Sequence, residues 1–190
     1  QGGTEQMYKG LMDRLPDDLK NPFNIICSRV REVDSSKRNL LWLHDTWDDP
    51  ESQHLAEEES RKRFKRLVFV SNYQQATYNV GLGVPHSDGV VLPNAIDPIE
   101  PHEKPKGTIN LIYHTTPHRG LELLYPVCEY LAKEGYDFHL DVYSSFSIYG
   151  WSQRDEPYKE LFQKISQHPN MTYHGYQPNE VVREALKKAH

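Results

Sequence analysis

"IYHTTPHRGLELL", residues 112–124, decides the reading of this chain. The apolar run Ile109–Tyr113 reaches a polar knot, His114-Thr115-Thr116-Pro117-His118. Arg119-Gly120 then opens a segment whose apolar residues recur at helical spacing. A strand that passes through one short turn into a helix is the first half of a βαβ unit. In open parallel sheets, ligands bind beyond the carboxyl ends of the strands. The helix N-terminus there offers unbonded N–H groups and a partial positive charge. Thr115 and Thr116 add hydroxyl donors, Arg119 a planar cation and Gly120 room for close backbone approach. The turn therefore reads as a phosphate site. Without its context it would equally suit an ordinary βα loop.

The same alternation extends in both directions. Upstream, strands are expected at 23–28, 39–45, 67–70 and 89–92. A helix capped by Thr4 should run to Leu15, and Pro50 should start a charged helix through Arg66. Three pairs in that helix, Glu57/Arg61, Glu58/Lys62 and Glu59/Arg63, have the favourable i,i+4 order. Ser71 or Asn72 should cap a helix ending near Gly81. Downstream, strands are expected at 109–113, 138–143 and 171–174, with helices near 119–133, 157–167 and 178–189. Between the halves, "PIEPHEKPKGT" (98–108) has linker composition, with three prolines, a glycine and four charged residues. The expected architecture is α/β: two Rossmann-like parallel sheets, residues 1–98 and 109–190, joined by a linker at 99–108. The second sheet is expected to be incomplete.

Composition narrows the function. At 190 residues, 37% hydrophobic and 26% charged, the chain suits a soluble globular protein. A net charge of −5 argues against a dedicated nucleic-acid partner. Cys27 and Cys128 lie in apolar segments and read as small buried hydrophobes in a reducing, cytoplasmic compartment. No run approaches the roughly 20 residues that span a bilayer. The basic cluster Arg61–Arg66 could touch anionic lipid at the inner membrane surface, although a salt-bridged solvated face explains it more simply. The ten histidines lack metal-ligand spacing, and no CxxC or HExxH occurs, so no metal or other cofactor is expected. No GxGxxG follows a strand, which argues against a nicotinamide dehydrogenase.

Four passages together carry a resemblance: Gly2-Gly3 before the first helix, Ser71 through Asp97, Tyr113 through Leu124, and Met171 through Ala189. They resemble the early Gly-Gly loop, the "LGVP…VIPNGID" passage before the hinge, the "GRLxxxKGxxxLLxA" opening of the second domain and its later "VxFxGxVxxxELxxxYxxA". These belong to retaining, nucleotide-sugar-dependent glycosyltransferases of GT-B fold, the group that includes glycogen synthases, sucrose-phosphate synthases and bacterial mannosyltransferases. The resemblance implies metal-independent transfer of a sugar from a nucleoside diphosphate to an acceptor, whether glycan, lipid or small molecule. It places Gly2, Gly3, His114, Thr115, Thr116, Arg119 and Gly120 around the donor diphosphate. Tyr176 falls near the nucleobase through its backbone. His44, at the end of "LLWLHD", would approach the donor sugar from the first domain as the catalytic side chain.

The chain departs from that pattern in places. His114 replaces the first of the group's two phosphate-binding cations, and Arg119 stands for the second. Ala95 replaces the glycine of Asn-Gly, and "VYSSFSIYGW" lacks the group's Gly-x-Gly. The group's Glu-x7-Glu loop would fall after Ala189. Glu51 and Glu59 share that spacing but lie in the charged helix and read as solvent-facing. The start at Gln1 and the end at "VVREALKKAH" suggest a fragment of a longer enzyme, inactive alone and prone to self-association through an unfinished sheet. Two rivals stay open: a nucleotide-sugar epimerase of the same fold, and a sugar-nucleotide binding module without catalysis.

Overall fold

The computed structural model describes residues 2–96 and 98–190; Gln1 and Asp97, which the sequence reading touches, lie outside them. The described chain divides into two units, Gly2–Pro98 and Ile99–His190.

In the first unit, helices α1 (Gly3–Arg14) and α2 (Asp17–Lys20) precede strands β1 (Phe23–Cys27) and β2 (Arg38–Leu43). A 3-10 stretch (Pro50–Ala56) and α3 (Glu58–Arg61) lead to β3 (Arg66–Phe69). Helix α4 (Asn72–Leu82) and a 3-10 turn (His86–Asp88) lead to β4 (Gly89–Val91). The four strands are parallel and lie in sequence order, with Ile26 opposite Leu41, Leu41 opposite Leu67, and Leu67 opposite Gly89. Parallel neighbours need crossovers rather than tight turns. Right-handed crossovers between strands in sequence order all land on one face. That face is the apolar one: Ile26, Leu41, Leu43, Leu67 and Phe69 pack with Leu55, Phe64, Tyr78 and Val84 from the crossovers.

Helix α4 begins as the sequence indicates. Ser71 Oγ accepts the Gln74 N–H, and the helix closes at Gly83 in the left-handed conformation (φ 67°). Helix α1 begins differently. Gly2 is its cap residue and no side chain caps it, so Thr4 lies inside the first turn.

The expected helix over 51–66 does not form. Its first part is 3-10, and only Glu58–Arg61 is α-helical. Tertiary partners override the local pairing. Arg61, whose side chain is 10% exposed, bonds Asp88 at 3.0 Å and the carbonyls of Leu55 and Ala56. Its side chain is thereby drawn away from Glu57. Lys62 does pair with Glu58 and also with Glu59, whereas Arg63 bonds Ser60. Glu51 is not left to solvent, since Arg31 grips both its oxygens at 3.0 and 3.3 Å.

In the second unit, strands β5 (Ile109–Tyr113), β6 (Phe138–Val142) and β7 (Met171–Tyr173) form a parallel sheet, again in sequence order. Helix α5 (Leu121–Lys133) joins the first pair. A 3-10 stretch (Ser152–Tyr158) and α6 (Lys159–Gln167) join the second pair, and α7 (Asn179–Lys188) follows β7. Strand β6 alternates cleanly. Phe138, Leu140 and Val142 are buried in the core with Leu121, Cys128, Phe162, Ile165 and Met171. His139 and Asp141 face the other side. On that side His174 Nε2 donates to Asp141 at 2.6 Å, and His139 bonds the Thr172 hydroxyl at 2.9 Å.

Residues 98–108 have no helix or strand. They are nevertheless tied to the end of α7. The His102 ring bonds the Lys187 carbonyl at 2.7 Å, and the Lys104 ammonium donates to the Lys187 and Ala189 carbonyls. Carbonyls left without partners at a helix end are satisfied in this way.

Gln74 joins two strand ends in the first unit. Its side-chain nitrogen donates to the Leu43 and Asp45 carbonyls at 3.2 and 2.9 Å, and its oxygen accepts the Val70 N–H at 2.8 Å. Gln74→Leu leaves these groups without partners at a buried position, each costing about 1–3 kcal/mol. Urea unfolding should show a loss of about 2–4 kcal/mol with an unchanged m-value. A loss below about 0.5 kcal/mol would show that water replaces the side chain.

Candidate functional site

In each unit every strand points the same way, so loops of one kind gather at one sheet end. In the second unit that end holds the turn 114–120 after β5, residues 143–151 after β6, and His174–Tyr176 after β7. The unit thus brings together His114, Thr115, Thr116, Arg119, Gly120 and Tyr176. Gly2, Gly3 and His44 belong to the first unit.

The 114–120 turn is fixed from within. Tyr113 donates its hydroxyl to the Thr116 carbonyl at 2.8 Å, and the Arg119 N–H bonds the same carbonyl at 3.1 Å. Leu121 N–H reaches the Pro117 carbonyl at 3.2 Å, and the turn enters α5 through Gly120. Gly120 has φ 99°, where side-chain-bearing residues are strained, and a Cβ there would meet only open space. The backbone therefore lies open to a ligand at the start of a 13-residue helix. His114 and Arg119 are exposed, and the Arg119 guanidinium forms no hydrogen bond or ion pair among the described residues. Thr115 is half-buried. Thr116 is 4% exposed, so of the two hydroxyls the Thr115 one is the more accessible.

After β7, Gly175 takes the left-handed conformation and Tyr176 emerges 45% exposed. Gln177 ties back to the His174 carbonyl at 3.0 Å, while the His174 ring stacks on Tyr143 at 4.4 Å. These contacts hold the backbone near Tyr176 at the same sheet end as the turn.

In the first unit, His44 follows β2. Its N–H donates to Ser28 Oγ at 3.0 Å, and its ring lies 4.7 Å from that of Trp42. Both ring nitrogens are shielded and without a hydrogen bond. Burial pushes the imidazole pKa below the ordinary 6.5, while the Trp42 backbone, Asp45 and Asn94 pull weakly the other way. Gly2 and Gly3 begin α1. Glu5 in its first turn adds to the upward shift of the Cys27 thiol to about 11, which is caused mainly by burial.

Several features at these sites have no counterpart in the sequence reading. Phe146, Trp151, Arg154 and Asp155 shape the loop after β6, and Gln74 holds the strand end that carries His44. A cavity of about 530 Å³ lies under α7 on the polar side of the second sheet. It is lined by Asp141, Glu180 and Glu184 against Lys188, a charge balance unsuited to a diphosphate. Among the described residues, no group of three or more His, Cys, Asp or Glu could hold a metal ion. No helix there is long and apolar enough to cross a membrane.

No protein-family model matches the sequence, and no curated protein matches it. Solved structures do. TarM superposes with a TM-score of 0.55 at 14% identity, covering 96% of this chain and 37% of that chain. An S. aureus TarM variant in complex with fondaparinux, α-GlcNAc-glycerol and UDP gives 0.50 at 16%, covering 82% of this chain and 31% of that chain. Accessory secretory protein 1,2 and 3 of Streptococcus pneumoniae gives 0.52 at 9%, covering 96% and 37%. The chain spans about a third of the length of these proteins. The likeness establishes the fold: α/β, with two Rossmann-like parallel sheets, of the GT-B glycosyltransferase-like type.

The shift at His44 has a consequence for stability. A base whose folded pKa is depressed binds its proton more readily in the unfolded chain. Its contribution is complete above about pH 6.5 and is lost as pH falls toward the folded value. His54 shifts in the same direction, by burial and then by Arg63. Urea midpoints should therefore fall between pH 7.5 and pH 5.5, and His44→Phe should lessen the fall. An unchanged profile in H44F would mean that the ring titrates as it does in the unfolded chain.

Proposed function

We propose that this chain binds a nucleoside diphosphate sugar and belongs to a glycosyltransferase that moves the sugar to an acceptor, as the group resembling glycogen and sucrose-phosphate synthases and bacterial mannosyltransferases does. The observation that carries the reading is the 114–120 turn. It combines an exposed guanidinium without an ion pair, a half-buried hydroxyl and an open left-handed glycine at the N-terminus of α5. A diphosphate is the ligand that uses all of these. Arg119 matches phosphate oxygens bidentately, and the helix end favours negative charge. The structural likeness to the S. aureus TarM variant solved with UDP and sugars supports the reading.

In this reading the second unit acts chiefly on the leaving group. Breaking the glycosidic bond leaves its electron pair on the diphosphate oxygen. The charge that develops there is met by Arg119 and the α5 N-terminus, which are already in place and need no reorganisation. Tyr176 borders the base through its backbone. Gly2 and Gly3 add backbone contacts to the donor, and His44 approaches the sugar, as the family resemblance implies. The reading needs no metal, since cation and helix end supply the positive charge. Its acceptor is a glycan, a lipid or a small molecule.

Calorimetry with ADP, GDP and UDP and their nucleosides tests the diphosphate assignment. Arg119→Ala should weaken the tightest nucleoside diphosphate about ten- to a hundredfold, from roughly 1.5–3 kcal/mol for a charge-assisted bond. Nucleoside binding should be unchanged. Equal losses for both ligands would remove the phosphate role from Arg119.

A further inference from the structure

The loop after β6 carries a second guanidinium in an unusual setting. Arg154 Cζ lies 5.2 Å from the ring centre of Phe146 and 5.3 Å from that of Trp151. Its donors form no hydrogen bond or ion pair among the described residues. The neighbouring carboxylates are engaged elsewhere. Asp155 accepts from the Ser145 hydroxyl and, at 2.9 Å, from the Phe146 N–H, while Glu156 pairs with Lys159 at 2.6 Å. Asp155 thus holds the loop in shape and leaves the adjacent cation uncompensated.

The loop is also fastened to the turn after β5. His118 stacks on Phe146 with ring centres 5.2 Å apart and planes 11° apart. His118, Phe146 and Arg154 therefore form a linked series that runs from the 114–120 turn to a guanidinium. Stacking uses the face of a guanidinium and leaves its edge, where the N–H groups lie, free. That edge is the part that grips phosphate oxygens. At the start of the loop, Ser144 is 1% exposed and its hydroxyl has no partner among the described residues. Buried hydroxyls are ordinarily satisfied, so its lack of one points to a polar group that the free chain does not supply.

We infer that Arg154 is the second cation of the diphosphate site, delivered by the loop after β6 and held ready by Phe146 and Trp151. The inference rests on the proposed donor-binding function and deepens it. It accounts for two departures of the sequence together. His114 lacks the fixed charge expected at its position, and the loop that lacks Gly-x-Gly carries an arginine instead. A glycine loop would bring backbone N–H groups to the phosphates, whereas this loop brings a stacked side chain.

The test is calorimetry with inorganic pyrophosphate and with the tightest of ADP, GDP and UDP, the corresponding nucleoside being the control. Arg154→Gln keeps a planar group near the two rings and removes the charge. It should weaken pyrophosphate and the nucleoside diphosphate about tenfold or more and leave the nucleoside unaffected. Phe146→Leu keeps the charge but loses the stack, and should give a smaller loss in the same two ligands. Thermal unfolding of each variant shows whether the loop's unit stays folded, and Arg154→Lys, which restores charge, should regain part of the affinity. If R154Q binds both phosphates as the wild type does while Arg119→Ala does not, the inference fails and the proposed function stands. If the wild type binds no diphosphate at all, both fail together.

Discussion

A strand that must lie parallel to its predecessor cannot be reached by a tight turn, and most of this molecule follows from that constraint. Each strand needs a crossover, and strands laid down in sequence order send their crossovers to the same face. That face becomes the apolar core in both units. Leu41, Leu43, Leu67 and Phe69 line it in one, and Phe138, Leu140 and Val142 in the other. The opposite face is relieved of that duty. In the second unit it carries His139, Asp141, Thr172 and His174, which satisfy one another by hydrogen bonds. The same constraint aligns the strand ends, so polar turns distant in sequence become neighbours. Neither sheet reverses its strand order among the described strands, so neither contains a switch-point crevice of the kind that holds nucleotides in doubly wound folds. The candidate donor site is an open edge of loops instead.

Much of this was legible in the sequence because periodicity and capping are local. The strands at 109–113 and 138–142, the Ser71 cap and the start of α5 each need only a few neighbouring residues to be read. The stretch 51–66 misled for the converse reason. Its i,i+4 charge pattern favours a helix by a few tenths of a kcal/mol per pair. Arg61 gains far more from Asp88 and two carbonyls, and none of these lies at helical spacing from it. Of the candidate site, the turn at 114–120 was visible through its residue types. The accessibility difference between Thr115 and Thr116 was not, because it depends on how the turn is folded back by the Tyr113 hydroxyl. The Phe146–Arg154 contact was invisible for a simpler reason: the loop has no period to read, and its contacts are set by Asp155 reaching back to Ser145.

The two candidate sites handle charge in opposite ways. At the end of β2, burial lowers the pKa of an imidazole. At the ends of β5 and β6 the guanidiniums of Arg119 and Arg154 stay exposed, Arg154 lying over aromatic rings, and a guanidinium keeps its charge at any ordinary pH. Gln74 and Asp155 play corresponding parts in the two. Gln74 donates to the Leu43 and Asp45 carbonyls on either side of His44, and Asp155 accepts the Phe146 N–H, so each side chain fixes the backbone beside the residue of interest.

The sequential strand order also bears on how the chain reaches its fold. Phe23 pairs with Arg38 and Leu67 with Gly89, so each strand finds its partner in the segment made next. No strand has to enter between two that have already joined. Short loop closures of this kind lower contact order and speed folding. Each sheet can therefore grow at one edge in the direction of synthesis, every newly emerged βα segment covering the edge left by the one before.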